Sequence, residues 1–185
     1  MIIKRLKSRW LYKKSVTYLE NTDYLKLIQA SEKVQSYCIN DDIEINHVKA
    51  VFHHLPLKDN SKFYLSEDNW DLSDTIKKEI STLLNKLNEY QRSIYYTYYY
   101  NSKGKFNQNG NKFKYEILPP WIVFPHFSAL SSAWRCGVGE EYMEIFLCYL
   151  DRLSDKKRRA YFHKYPEPEY MKTNSFRYNM MNHIR

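Results

Sequence analysis

Between residues 73 and 95 the apolar side chains Ile76, Ile80, Leu83, Leu84, Leu87 and Ile94 recur at helical spacing, with Lys, Glu, Asn and Thr between them. This pattern predicts an amphipathic helix. Ser73 stands where an N-cap belongs, because its hydroxyl can accept from the free N–H groups of a first turn. The same period over 23–38, in Tyr24, Leu27, Ile28, Val34 and Cys38, predicts a second helix, with Thr22 as its expected N-cap. A shorter helix is expected over 47–55, with Val48, Val51, Phe52 and Leu55 on one face and Pro56 as its stop; residues 57–72 read as loop.

The C-terminal third shows the clearest period, in Tyr142, Ile145, Phe146, Tyr149, Leu150 and Leu153. Upstream, Pro125 suits the first turn of a helix, where its missing N–H costs nothing. "HFSALSSAW" continues from it, with Phe127, Leu130 and Trp134 on one side. Gly137 then fits the left-handed position that ends a helix, and Gly139 a cap of the next. Glu140 and Glu141 fall in the new first turn, where the helix dipole favours acids. Gly-Val-Gly therefore reads as the joint of a helix–helix corner. A phosphate cradle would need a fuller glycine pattern and a lysine or hydroxyl partner, and the two glutamates would repel phosphate. After Ser154, Asp155 opens a short basic helix through "KKRRAYFHK", closed by Pro166 and Pro168.

Two stretches stay ambiguous. Residues 1–14 hold six Lys or Arg and no acid, and read as a basic arm, an edge strand or a short amphipathic helix with Ile3, Leu6 and Trp10 on one face. Residues 95–118 combine a tyrosine run, an Asn109-Gly110 turn signal and the alternation from Lys112 to Ile117. They fit either a small β-hairpin near 103–117 or a loop that drapes aromatics over the core. The expected fold is mainly α: one domain spanning 1–185, of about six helices.

Composition narrows the class. At 43% hydrophobic and 27% charged residues the chain is globular rather than disordered. No run approaches the roughly 18 apolar residues of a membrane span. The basic N-terminus lacks the apolar stretch of a signal peptide, so a cytoplasmic location is expected. The three cysteines, Cys38, Cys136 and Cys148, have no Cys-x-x-Cys spacing and read as buried free thiols. The net charge of +8 favours acidic partners such as nucleic acid, anionic lipid or an acidic protein. AT-rich coding would give the same excess of Lys, Asn, Ile and Tyr without selection for binding.

No segment carries a signature of catalysis. His47 and His54 lie two helical turns apart, roughly 10 Å, too far to chelate one ion. Glu44-x-x-His47 is half of a di-iron motif that needs two such pairs. There is no Gly-x-Ser-x-Gly elbow, and Cys136 is the sole candidate nucleophile. Lys103, Lys105, Lys112 and Lys114 alternate with Tyr100, Phe106, Phe113 and Tyr115, a pattern suited either to stacking single-stranded nucleic acid or to core.

"PPWIVFP", "WRCGVGEEYMEIF", "YLDRLS" and "AYFHKYPEPEY", over about 119–170, resemble a group of small bacterial proteins that share a Trp-Arg-x-Gly-x-Gly-Glu-x-Tyr core and a later Tyr-Pro-x-Pro. That group has no established activity and a loose association with toxin–immunity loci. The resemblance implies that Trp134, Arg135, Gly137, Gly139, Glu140 or Glu141, and Tyr142 form a shared feature.

The resulting expectation is a non-enzymatic protein, an immunity protein that blocks a cognate toxin through a tyrosine-rich surface. Its expected partner-binding residues are Trp134, Arg135, Glu140, Glu141 and Glu144, with a second acidic patch at Asp41, Asp42 and Glu44; Gly137 and Gly139 are structural. No catalytic residue, metal ligand or cofactor is assigned. The alternatives are a toxin or effector enzyme acting on nucleic acid through Arg135, Glu140, Glu141 and His126, and a nucleic-acid-binding module using 95–115.

Overall fold

The computed structural model describes residues 2–40, 73–99, 113–127, 134 and 137–168, with side chains from Arg9 onward in the first helix and up to Tyr37 in the second. Among these residues the architecture is mainly α, with six helices and no strand. They are α1 (Ile2–Glu20), α2 (Tyr24–Asn40), α3 (Asp74–Ile94), α4 (Pro120–Val123), α5 (Gly137–Asp151) and α6 (Asp155–Lys164). The helix expected over 47–55, and the 103–112 part of the hairpin alternative, lie outside the described residues. The remainder of that alternative, 113–117, is not strand.

The basic start of the chain is no separate arm. It is the first part of a 19-residue helix, because Leu11, Ser15 and Leu19 follow at four-residue steps and are all buried. Thr22 does not cap α2: its hydroxyl turns back to donate to the Tyr18 carbonyl at 2.8 Å, sealing the end of α1. Asp23 caps instead, accepting from the Lys26 N–H at 3.2 Å.

Helix α3 starts as the sequence predicts. The Ser73 hydroxyl accepts from the Ile76 N–H at 3.4 Å, and Ile80, Leu84, Leu87 and Ile94 are buried against α1 and α2. Tyr90, absent from the apolar stripe, is completely buried beside them. A π-helical turn, Tyr95–Tyr99, continues the axis. Tyr95, Tyr96, Thr97 and Tyr98 are all buried, because this turn is covered by α1 and also by α5.

The middle of the molecule is an extended run, 113–119, which leads into α4. Ile117, Leu118 and Pro119 are buried although no strand pairs with them. Backbone groups of residues 115–118 bond to tyrosine hydroxyls. Tyr90 donates to the Glu116 carbonyl at 3.1 Å and accepts from the Leu118 N–H at 3.0 Å. Tyr142 donates to the Leu118 carbonyl at 2.7 Å, Tyr161 to the Ile117 carbonyl, and Tyr24 to the Glu116 carbonyl at 3.2 Å. Tyr98 accepts from the Tyr115 N–H at 3.0 Å. Tyrosines of α2, α3, the π turn, α5 and α6 thus supply what a sheet would supply, since a buried peptide group left unbonded costs as much as a lost hydrogen bond.

Pro120, not Pro125, occupies the first turn of a helix. Pro125 and His126 instead form a turn after α4. Residues 128–133 lie outside the described residues.

Candidate functional site

The expected site surrounds the start of α5. Gly137 has φ +66, the left-handed conformation expected of it. No atom lies within 4 Å of where its Cβ would be, so backbone conformation rather than space demands glycine here. Gly139 is not a cap: it is buried inside the first turn. Glu140 closes that turn and Glu141 lies just beyond it.

The buried face of α5 carries Tyr142, Met143, Ile145, Phe146, Leu147 and Leu150, wider than the predicted stripe. Glu140, Glu144, Cys148 and Asp151 remain on the outward line, and all four are exposed. Glu141 at its edge is half-buried. Burial, and then the charges of Glu140 and Glu144, raise its carboxyl above the ordinary range. Cys148 is an exposed thiol, not the buried one expected, because its position falls opposite Phe146 on the helix. Partial burial and the nearby Glu144 and Asp151 raise its pKa, which lowers its thiolate fraction.

Trp134 does not belong to this surface. It is buried, edge-on to Phe124 at 5.8 Å and to Phe127 at 5.1 Å. Phe124 meets Tyr142 at 5.4 Å, so the tryptophan of the motif closes an aromatic core around α4. Its large apolar area explains the inward position. Arg135, Cys136, Asp41, Asp42, Glu44 and His47, His53 and His54 lie outside the described residues. His126, a candidate of the enzyme alternative, packs edge-on to Phe127 at 4.5 Å. Burial of its ring lowers the imidazole to about 4, which keeps it neutral at physiological pH.

The basic aromatic segment also turns inward where it is described. Phe113 packs against Tyr98 at 4.7 Å and Tyr149 at 5.4 Å. The Lys114 ammonium pairs with Glu20 at 2.7 Å, and Tyr115 bonds the same carboxylate. The described tyrosines do not form the expected tyrosine-rich surface: Tyr37, Tyr90, Tyr95, Tyr96, Tyr98, Tyr142, Tyr161 and Tyr165 are core, and Tyr12, Tyr18, Tyr24, Tyr115 and Tyr149 are partly buried. Tyrosine carries apolar area and a hydroxyl that can satisfy buried backbone. The sequence signal for this role was tyrosine, rather than phenylalanine, at helical stripe positions such as 24 and 142.

Among the described residues no group of three His, Cys, Asp or Glu side chains is placed to hold a metal ion, and no helix is long and apolar enough to cross a membrane. Comparison with protein-family models, with curated proteins and with solved structures finds no match to the chain. What the geometry brings together is an exposed acidic line on α5, Glu140, Glu144 and Asp151, with Glu141 at its edge, on a chain whose net charge is +8.

Proposed function

We propose that the protein is a non-enzymatic cytoplasmic binding protein, and in its sharpest form an immunity protein that neutralises a cognate bacterial toxin by covering its active site. The exposed acidic line of α5 carries this reading. Acidic side chains spaced along one rigid helix suit a cationic groove, such as one that binds nucleic-acid phosphates, and charge complementarity of this kind gives specificity and a fast on-rate. The line lies in the segment whose motif resembles small bacterial proteins loosely associated with toxin–immunity loci, and the reading draws on that association too.

The test is co-expression with the product of the adjacent gene. The expected result is neutral expression alone, rescue of cells from that product, and co-purification of the two proteins. Glu140→Lys with Glu144→Lys is expected to abolish rescue while the protein stays folded, since both positions are exposed. Absence of rescue and of co-purification overturns the proposal.

The raised carboxyl of Glu141 favours a second reading, an effector enzyme, because perturbed acids gather at catalytic sites. Growth arrest on expression alone, abolished by Glu141→Ala, would establish that reading in place of the first.

A further inference from the structure

Helix α6 presents a second charged face, opposite in sign to that of α5. Its aromatic positions point inward: Tyr161 and Tyr165 are buried, and Phe162 stacks on Trp121 at 6.4 Å. Arg158 turns back to donate to the Leu150 carbonyl at 3.0 Å. The exposed face is left to Lys156, Lys157, Arg159, His163 and Lys164, together with Ala160 and, at the first position, the acid Asp155. Lys164 is paired with Glu116 at 3.0 Å. Lys156, Lys157 and Arg159 make no ion pair with any described residue. Three cations within four positions, with Asp155 as the one acid among the described residues of α6, repel one another, and the cost is recovered when a polyanion covers them.

We propose that this face binds the phosphate backbone of nucleic acid without sequence preference. Lys156, Arg159 and His163 stand at i, i+3 and i+7 and form one row about 10 Å long. A nucleic-acid strand advances about 3.4 Å per phosphate along its axis, so the row spans roughly three steps of a regularly spaced polyanion. A lipid surface is the poorer match, because interfacial helices insert an apolar face and the exposed side of α6 has none larger than Ala160. The proposed contact lies on a helix that projects its cations outward, separate from the aromatic segment at 95–115, of which 100–112 lie outside the described residues. It is independent of the α5 acidic line.

The test is fluorescence anisotropy of a labelled oligonucleotide, single-stranded and duplex, titrated with the full chain over a range of salt. The triple variant Lys156→Gln, Lys157→Gln, Arg159→Gln is expected to bind about tenfold or more weakly. Its slope of log affinity against log salt should be lower by about 2–3, near 0.9 for each phosphate that is no longer neutralised. An α1 variant with the same charge change, Arg9→Gln, Lys13→Gln, Lys14→Gln, is expected to keep most of the affinity. Circular dichroism checks that both variants fold. An unchanged slope in the α6 variant overturns the proposal, as does an equal loss in the α1 variant. So does binding to anionic phosphatidylserine vesicles with none to either oligonucleotide.

Discussion

Helix α3 and the run 116–118 are both buried, yet they satisfy their backbones in opposite ways. In α3 each N–H beyond the first turn finds a carbonyl within the same helix, and the Ser73 hydroxyl takes the Ile76 N–H of the first turn. In 116–118 the bonds come from tyrosines 24 to 92 residues away in sequence, on α2, α3, α5 and α6. The helix is secured by its own chain and the extended run by its neighbours. Damage to the first should therefore stay local, while damage to the second should loosen several helices together.

The largest expected effect comes from alkaline pH. Burial raises the phenols of Tyr90, Tyr142 and Tyr161 well above the ordinary tyrosine range. An unfolded chain loses these protons near pH 10, whereas the folded one keeps them, so the stability they contribute is complete below pH 10 and falls above it. Each phenol removes about 1.4 kcal/mol per pH unit, and the three together about 4. Phenolate absorbance and helical circular dichroism should change together in one steep transition. Tyrosines that titrate one by one while helicity persists would break the comparison with α3.

Tyr90→Phe comes next. It removes an acceptor from the Leu118 N–H and one of two donors from the Glu116 carbonyl. Tyr24 still serves that carbonyl at 3.2 Å. The expected loss is about 2–3 kcal/mol in chemical denaturation, mostly from the orphaned N–H.

This contrast also explains what the sequence made legible. The centres of the α3 and α5 faces, Ile80, Leu84, Leu87 and Ile94 in one and Tyr142, Ile145, Phe146 and Leu150 in the other, follow from period, because burial on a helix is decided by neighbours three and four positions away, and Ser73 could be identified from its own turn. The run 113–119 shows a strand-like alternation through Phe113, Lys114, Tyr115 and Glu116, but its bonding partners are distant phenols that no local pattern encodes. The tyrosines suffered the reverse error. Read as surface for a partner, Tyr24, Tyr90, Tyr98, Tyr142 and Tyr161 turn inward and give their hydroxyls to buried backbone at 115–118. Trp134 was misjudged for a related reason: its place in a motif beside charged residues obscured that Phe124 and Phe127 would enclose it. For the acidic line, helical spacing was enough, since Glu140 and Glu144 are one turn apart and opposite the apolar stripe.

Gly137 sharpens the same comparison at the start of α5, where conformation rather than bonding is at stake. With φ +66 and open space around its Cβ position, Gly137→Val should cost about 1–2 kcal/mol from backbone strain alone. Gly137→Asn should cost less, because asparagine tolerates the left-handed region. Thermal denaturation of the two variants separates strain from steric clash: equal losses would mean that the side chain, not the backbone, is the obstacle. A Gly137→Val protein with unchanged stability but lost binding would transfer this residue from the fold to the functional surface.

Ser73→Ala should give the smallest effect. The cap bond is long at 3.4 Å and lies in solvent, so water can replace the hydroxyl once it is gone. The expected loss is about 0.5–1 kcal/mol, the low end for an N-cap. Native-state hydrogen exchange is the decisive measurement, because it reports where the loss is felt. Faster exchange should be confined to the first turn of α3, around Ile76 and Lys77, with the amide of Leu118 unaffected. Tyr90→Phe should do the opposite and speed exchange at Leu118 and in the helices that hold it. If removing the cap loosened both regions equally, α3 would depend on its neighbours as much as 116–118 does, and the distinction between self-secured and neighbour-secured backbone would fail.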